Sequence, residues 1–473
     1  MDLLNTEFKR KFALSMYKNL KIKLAEMSFH KDFVNDTRGD LYPVLHRSED
    51  CREEVKNERY FVRKGAVKRL VCDLFPYASY ELSARVECGT AGLCFILPNA
   101  EATVSFCGNK VKYLCGENRA EHSIPEEIGD TVTLTVSCRP GAFDVYYKCN
   151  DAMQYLCTFD EESFKGSNLE ECFTNSKVAL LASGTAEIKD VCACIDNGIS
   201  IADMRPVRYE NGDIIVEQGK IYFSASIRMQ AGAYQGIFSW VPGTCGFELA
   251  GALFYDAGDG RWCGDVAASI LYHRAEKKWY LWVCSFSHGH ILGHAVFAGD
   301  PRFGVNVVDI ELMQKAPNGA EMSAFLGFAG DEDPDFFYDE AGKRWLMAIC
   351  RLDPETKSYR YVFFESEKPF EGYRFIGAGN KGAETGGSFV KINGEIFFIC
   401  GNDFHAVSDY RIYHKGGMTN ARFDYPDGGF RGWGTLMPIK MGSRTRYFWM
   451  TFDRHKGSDY NWSYGNLYCF EGF

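Results

Sequence analysis

No stretch of this chain approaches the roughly 20 consecutive apolar residues that cross a bilayer as a helix. Dense runs of Lys or Arg are also missing, and 63 acidic against 53 basic residues give a net charge of -10. A nucleic-acid partner is therefore not expected, because its phosphates would be repelled. From Met1 to Met27 there are charges at Glu7, Lys9, Arg10, Lys11 and Lys18, and no apolar core of a secretion signal. Zinc-site spacing is absent: Cys192-Ala193-Cys194 is a lone close pair with no second pair or His beside it. The Gly-rich piece from Gly428 to Gly434 lacks the Lys-Ser/Thr ending of a phosphate loop. The expectation is a cytoplasmic chain with no cofactor, no metal, and no membrane or nucleic-acid partner. A homo-oligomer stays open.

What is present suits large β-rich cores. The 473 residues are 46% hydrophobic and 15% aromatic, with a mean hydropathy of -0.24. Aromatics favour strands and can stack on sugar faces. Many of the 18 cysteines sit in apolar runs, as Cys72, Cys284 and Cys400 do. They read as reduced, buried small hydrophobes, in keeping with the cytoplasm.

Three regions follow from the patterning. In residues 1–50, Phe8, Phe12, Met16, Leu20, Leu24 and Met27 recur at helical steps and predict a short amphipathic helix. In residues 51–196, short alternating runs such as Tyr80 to Val86 and Thr131 to Val136 lie between glycines. They predict a β-sandwich of the concanavalin or laminin-G jelly-roll kind, binding glycans or purely structural. In residues 197–473 a longer unit repeats: a strand, a Gly turn, then an aromatic-rich strand. Its copies start at Asp213, Asp265, Asp333, Glu384 and Gly434. Strand-built repeats of about 50 residues predict one propeller blade each, hence five blades.

Two units carry carboxylates in similar settings. One runs Asp333-Pro334-Asp335-Phe336-Phe337 through Gly342 to Trp345-Leu346-Met347; the other runs Glu384-Thr385-Gly386-Gly387-Ser388 through Gly394 to Phe397-Phe398. Here the propeller half resembles the five-bladed glycosidases of families 43 and 32. That resemblance implies a base on blade one, a pKa-tuning Asp on blade three and a general acid on blade four. Carried onto this chain, these are Asp213, Asp333 and Glu384. The chain departs from the pattern in three places. Glu332 stands where family 32 has Arg, Asp213 lacks a following Pro, and Thr-Gly-Gly follows Glu384. Asp203 in Ala202-Asp203-Met204-Arg205-Pro206 is a second candidate base.

Glycoside hydrolysis needs one carboxylic acid to protonate the leaving oxygen and one carboxylate to activate water or to attack. Trp262, Asp265, Arg351, His405, Arg431 and Trp433 are the candidate substrate contacts, since they open or close strands at blade mouths. His288, His290 and His294 have no acid between them, so a sugar contact is expected there more than a metal. The leading expectation is a glycosidase acting on short oligosaccharides, furanosides such as arabinosides or fructosides among them. Glycosyl transfer or phosphorolysis in the same funnel is one alternative, with Arg351, Arg431 and Arg454 as phosphate ligands. A non-catalytic glycan-binding protein is the other.

Overall fold

Aromatic and β-branched runs such as Ile221-Tyr222-Phe223 and Trp279-Tyr280-Leu281-Trp282-Val283 fit pleated, buried surfaces, and the computed structural model of the chain is strand almost throughout. Residues 3–30, 33–34, 42–125, 129–314, 326–353, 357–379, 382–404, 407–424, 430–454 and 464–472 are described; for 402–404, 407–409, 430–433, 453–454 and 464–465 only the backbone is. The chain forms two compact units. One comprises Met1–Leu20, Asn197–Asp259 and Cys263–Phe473; the other comprises Lys21–Asp196 with Gly260–Trp262.

The first unit is a five-bladed propeller. Its blades begin with the inner strands Ser200–Pro206, Val266–His273, Asp331–Asp339, Glu384–Ile392 and Phe430–Met441, each at or next to one edge of its own, mainly antiparallel sheet. Each inner strand neighbours the next, and the fifth neighbours the first, so the ring closes. These strands are buried on both faces, which explains their continuous apolar runs in place of strict alternation. Interleaved aromatics fill the wedges between blades. Trp282, Phe336, Trp345 and Phe364 pack in one core, and Ile399, Tyr410, Trp449 and Phe470 in another.

The expected N-terminal helix is not there. Strands Glu7–Leu14 and Lys21–Glu26 occupy that stretch, after a single 3-10 turn at Leu3–Asn5. A step of four is even, so it repeats on one face of a strand as well as on a helix. Pairing partners decide the outcome. Glu7–Leu14 lies antiparallel to the C-terminal strand Tyr464–Gly472 and completes blade five from the other end of the chain. The boundary near residue 50 is also replaced: residues up to Leu20 belong with the propeller, and the second unit begins at Lys21.

In the second unit, strands Ser79–Leu97 and Lys177–Asp196 run antiparallel along their whole lengths. Where Gly89 and Gly184 face each other (φ +90° and +71°), a Cβ would lie 2.2 and 2.4 Å from the opposing carbonyl oxygens, so only glycine fits. Ala100–Cys107 and Lys110–Cys115 extend the sheet on one side of this point, and Val132–Arg139, Ala142–Cys149 and Ala152–Asp160 on the other. The two arms pack face to face, with Phe95 4.8 Å from Phe143 and Tyr113 4.8 Å from Phe159, ring centre to ring centre.

Phe8 is fully buried and meets Trp449 edge-on at 5.1 Å. Phe8→Ala is expected to destabilise the propeller by about 3–5 kcal/mol, read from the urea midpoint by tryptophan fluorescence. An unchanged midpoint would show that the N-terminal strand does not close the ring in solution.

Candidate active site

Each inner strand slips register once. The slips fall between Ala202 and Arg205, Val266 and Ser269, Glu332 and Asp335, Thr385 and Ser388, and Arg431 and Thr435. The first extra residue is left-handed in four blades: Asp203 (φ +51°), Ala267 (+60°), Asp333 (+47°) and Gly386 (+56°). Such a bulge bends the strand and re-aims its side chain. For an L-residue this conformation costs roughly 1–2 kcal/mol, and Asp is among the residues that tolerate it best.

The N–H groups freed by the bulges are taken up by the preceding blade. Ala268 donates to Gln235 Oε1 at 2.9 Å, Gly434 to the Tyr410 hydroxyl at 2.7 Å, and Gly387 to the Tyr361 hydroxyl. A Cβ at Gly387 would lie 2.2 Å from the Phe398 ring, so the glycine permits the close packing.

This register makes Asp203 the blade-one counterpart of Asp333. Asp213 is not that counterpart. The inner strand ends at Pro206, and Asp213 lies beyond it in an exposed turn, bonded at 2.9 Å to Asn211. The stretch that reads as an inner strand from Asp213 onward forms only the short pairing of Val216–Glu217 with Lys220 and Ile221, while Lys220–Arg228 is the second strand of blade one.

Asp203 is buried, and its Oδ2 accepts from Arg228 Nη2 at 3.0 Å. Asp333 is also buried, and its Oδ2 accepts from the Gly386 N–H at 3.1 Å and from Thr385 Oγ1 at 3.3 Å. Burial, and after it the negative charge of Asp203, push Asp333 up to about 7; Arg205 and the Gly386 N–H oppose this. Asp333 thus keeps its proton up to about neutrality, with the charge of Asp203 near enough to favour this. Glu332 lies next to them, 2.8 Å from His290 Nε2 and 3.0 Å from the Tyr359 hydroxyl.

Two positions before the bulge residue, another set of acids is equivalent: Asp265, Asp331 and Glu384, all fully buried. Asp265 accepts from Ser285 Oγ at 2.6 Å and from the Ser287 N–H at 3.0 Å. Asp331 takes both Nε and Nη2 of Arg351, at 2.6 and 2.8 Å, and the N–H groups of Gly327 and Phe328 at 3.1 Å. Glu384 accepts from the Tyr361 N–H at 2.9 Å, from Arg411 Nη1 at 3.2 Å and from the Tyr413 hydroxyl. Burial raises its pKa, and these donors oppose the shift. Glu384 is therefore register-matched to Asp331, while the counterpart of Asp333 in blade four is Gly386.

The remaining sequence candidates separate. Asp265 and Arg351 are used up in the contacts just given. Trp262 packs on Phe75 and Phe173, with ring centres 5.6 and 4.6 Å away, as part of the second unit. Arg431 and Trp433 lie in the inner strand Phe430–Met441, in the part where only the backbone is described; His405 lies outside the described residues, and only the backbone of Arg454 lies within them. The three histidines part company: His288 Nδ1 lies 2.9 Å from Ser285 Oγ, His290 goes to Glu332, and His294 stacks on Phe370. Among the described residues no cluster of His, Cys, Asp or Glu could hold a metal ion.

Arg205 and Arg228 are site residues that the sequence reading passed over. Arg205 could have been found by aligning Asp203-Met204-Arg205 on Asp333-Pro334-Asp335, which places Arg205 opposite Asp335 in the register. Arg228 carried no such signal, because its partner is fixed only by strand pairing across the blade.

No protein-family model matches the chain, and no curated protein matches it. Solved structures that it resembles include glycoside hydrolases, members of families 43, 62 and 117 among them. An endo-1,4-β-xylanase from Bacteroides thetaiotaomicron is 17% identical, with a TM-score of 0.35, over 57% of this chain and 90% of that one. An α-L-arabinofuranosidase from Podospora anserina is 12% identical, with a TM-score of 0.38, over 58% and 91%. A carbohydrate-binding module from Bacillus subtilis is 16% identical, with a TM-score of 0.25, over 32% and 94%.

The raised pKa of Asp333 fixes a sign. The folded state holds this proton above the ordinary 3.8 and up to about 7, so the carboxyl subtracts stability as pH rises through that window. Asn keeps the left-handed backbone and cannot ionise. Asp333→Asn is expected to raise Tm at pH 8 by roughly 3 °C or more relative to its effect at pH 4, by calorimetry. An equal effect at both pH values would contradict the assignment.

Proposed function

We propose that the chain is a glycoside hydrolase whose acid and base are Asp333 and Asp203. The observation that carries this reading is the pair of carboxylates set at the same bulge of blades one and three, one beside a guanidinium and the other with a raised pKa. Asp203, held by Arg228, is the carboxylate that activates water or attacks the anomeric carbon. Asp333 keeps its proton up to about neutrality and delivers it to the leaving oxygen. This moves the acid role from Glu384, whose three donors and complete burial support a structural role. Short soluble oligosaccharides in the cytoplasm are the proposed substrates, with arabinosides and fructosides first to be tried.

The two roles separate by leaving group. On a panel of aryl glycosides, Asp333→Asn is expected to lower kcat/KM by about 10²–10⁴-fold for poor leaving groups and far less for dinitrophenyl glycosides, which depart without a proton. Asp203→Asn is expected to lose activity with every leaving group. In the unaltered protein, activity falls as pH rises through the pKa of Asp333, near 7. If Glu384→Gln instead shows the leaving-group signature, the acid is Glu384. If the panel gives no turnover while the sugars still bind, the reading as an enzyme fails in favour of a glycan-binding protein.

A further inference from the structure

Among the described side chains, the arginines around the propeller axis are matched to acids with one exception. Arg208 pairs with Asp335 at 2.5 Å, Arg228 with Asp203 at 3.0 Å, Arg351 with Asp331 at 2.6 Å and Arg411 with Glu384 at 3.2 Å. Arg205 is fully buried and, among the described residues, makes one hydrogen bond, from Nη1 to the Met204 carbonyl at 3.2 Å. Its Nε and Nη2 have no partner among the described residues. Those two atoms form the side-on edge of the guanidinium, the edge that grips carboxylates in Arg139–Asp144, Arg351–Asp331 and Arg446–Glu471 of this same chain. A buried cation with its strongest donor edge empty is costly, and such an edge marks a missing anion or water.

The groups facing Arg205 do not supply that anion. From blade one comes Asp203, held by Arg228. From blade three come Asp335, held by Arg208, and Asp333, whose bonds run to blade four. Glu332 is engaged by His290 and Tyr359, and the Tyr361 phenol is neutral, its pKa raised by burial. When Asp333 carries its proton, the three guanidiniums of Arg205, Arg208 and Arg228 face only two partner carboxylates. We propose that Arg205 binds a halide-sized monoanion on its Nε–Nη2 edge, in the propeller axis beside Asp333. Complete burial of the guanidinium favours a small ion over a sugar carboxylate reaching down from the mouth. The ion and the Asp333 proton enter together, since an ionised Asp333 supplies the negative charge itself. This site does not depend on the hydrolase reading.

The test is thermal unfolding of the full chain at constant ionic strength, with bromide exchanged for gluconate, at pH 6 and pH 9. A saturable rise in Tm of about 2 °C or more is expected at pH 6, smaller at pH 9 and absent in Arg205→Met. A Tm that follows ionic strength alone, or a rise undiminished in Arg205→Met, overturns the proposal. So does stabilisation by glucuronate where bromide gives none, which assigns the edge to a sugar carboxylate. If Arg205→Met does not fold, crystals of the unaltered chain soaked in bromide decide. An anomalous peak about 3.5 Å from Arg205 Nε, a hydrogen-bond contact for so large an ion, supports the site, and its absence there refutes it.

Discussion

The bulge repeated in each inner strand is the constraint on which the site depends. In an unbroken strand alternate side chains point to opposite faces, and an inner strand between two blades has no face open to the axis. One extra left-handed residue breaks that alternation. In blades one and three the residue is Asp, in blade two Ala and in blade four Gly. One structural device therefore gives acids on two blades and none on the blade between them. It also ties the ring together, because the freed N–H groups of Ala268, Gly387 and Gly434 are bonded by Gln235, Tyr361 and Tyr410 of the blade before.

Charge placement follows from that geometry. Asp265, Asp331 and Glu384 lie two residues earlier, are sealed from solvent and bind connecting turns, arginines and a tyrosine hydroxyl. They act as structural clasps. Asp203 and Asp333 are also buried, and the charge of Asp203, after burial itself, favours the protonated form of Asp333. Desolvation sets the scale of this effect and the second carboxylate adds to it. The same burial leaves Arg205 as a cation whose compensation depends on the state of Asp333.

Much of this was legible in the sequence. The strand–turn–strand repeat gives five blades, and Asp333 and Glu384 are visible as acids at strand starts. The third acid is misplaced because the connection after Pro206 mimics an inner strand: Ile214-Ile215-Val216 leads through Gly219 into the true second strand Lys220–Arg228, just as inner strands lead through Gly342 and Gly394 into theirs. Register is what separates the two cases, and register is a property of pairing between strands. The equivalence of Asp333 with Glu384 fails for the same reason, by two residues, which exchanges a bulge position for a clasp position. The N-terminal strand was misread because its even spacing satisfies both periodicities, and its partner lies at the opposite end of the chain.

The central claim is that Asp203 and Asp333 share one electrostatic site. Titration of Asp333 by carbon NMR, with carboxyl-labelled aspartate and Asp333→Asn for assignment, measures it directly. The structure predicts a midpoint near 7 that moves down when Asp203 is replaced by Asn. A midpoint in the ordinary carboxylate range, or one indifferent to Asp203→Asn, would contradict it.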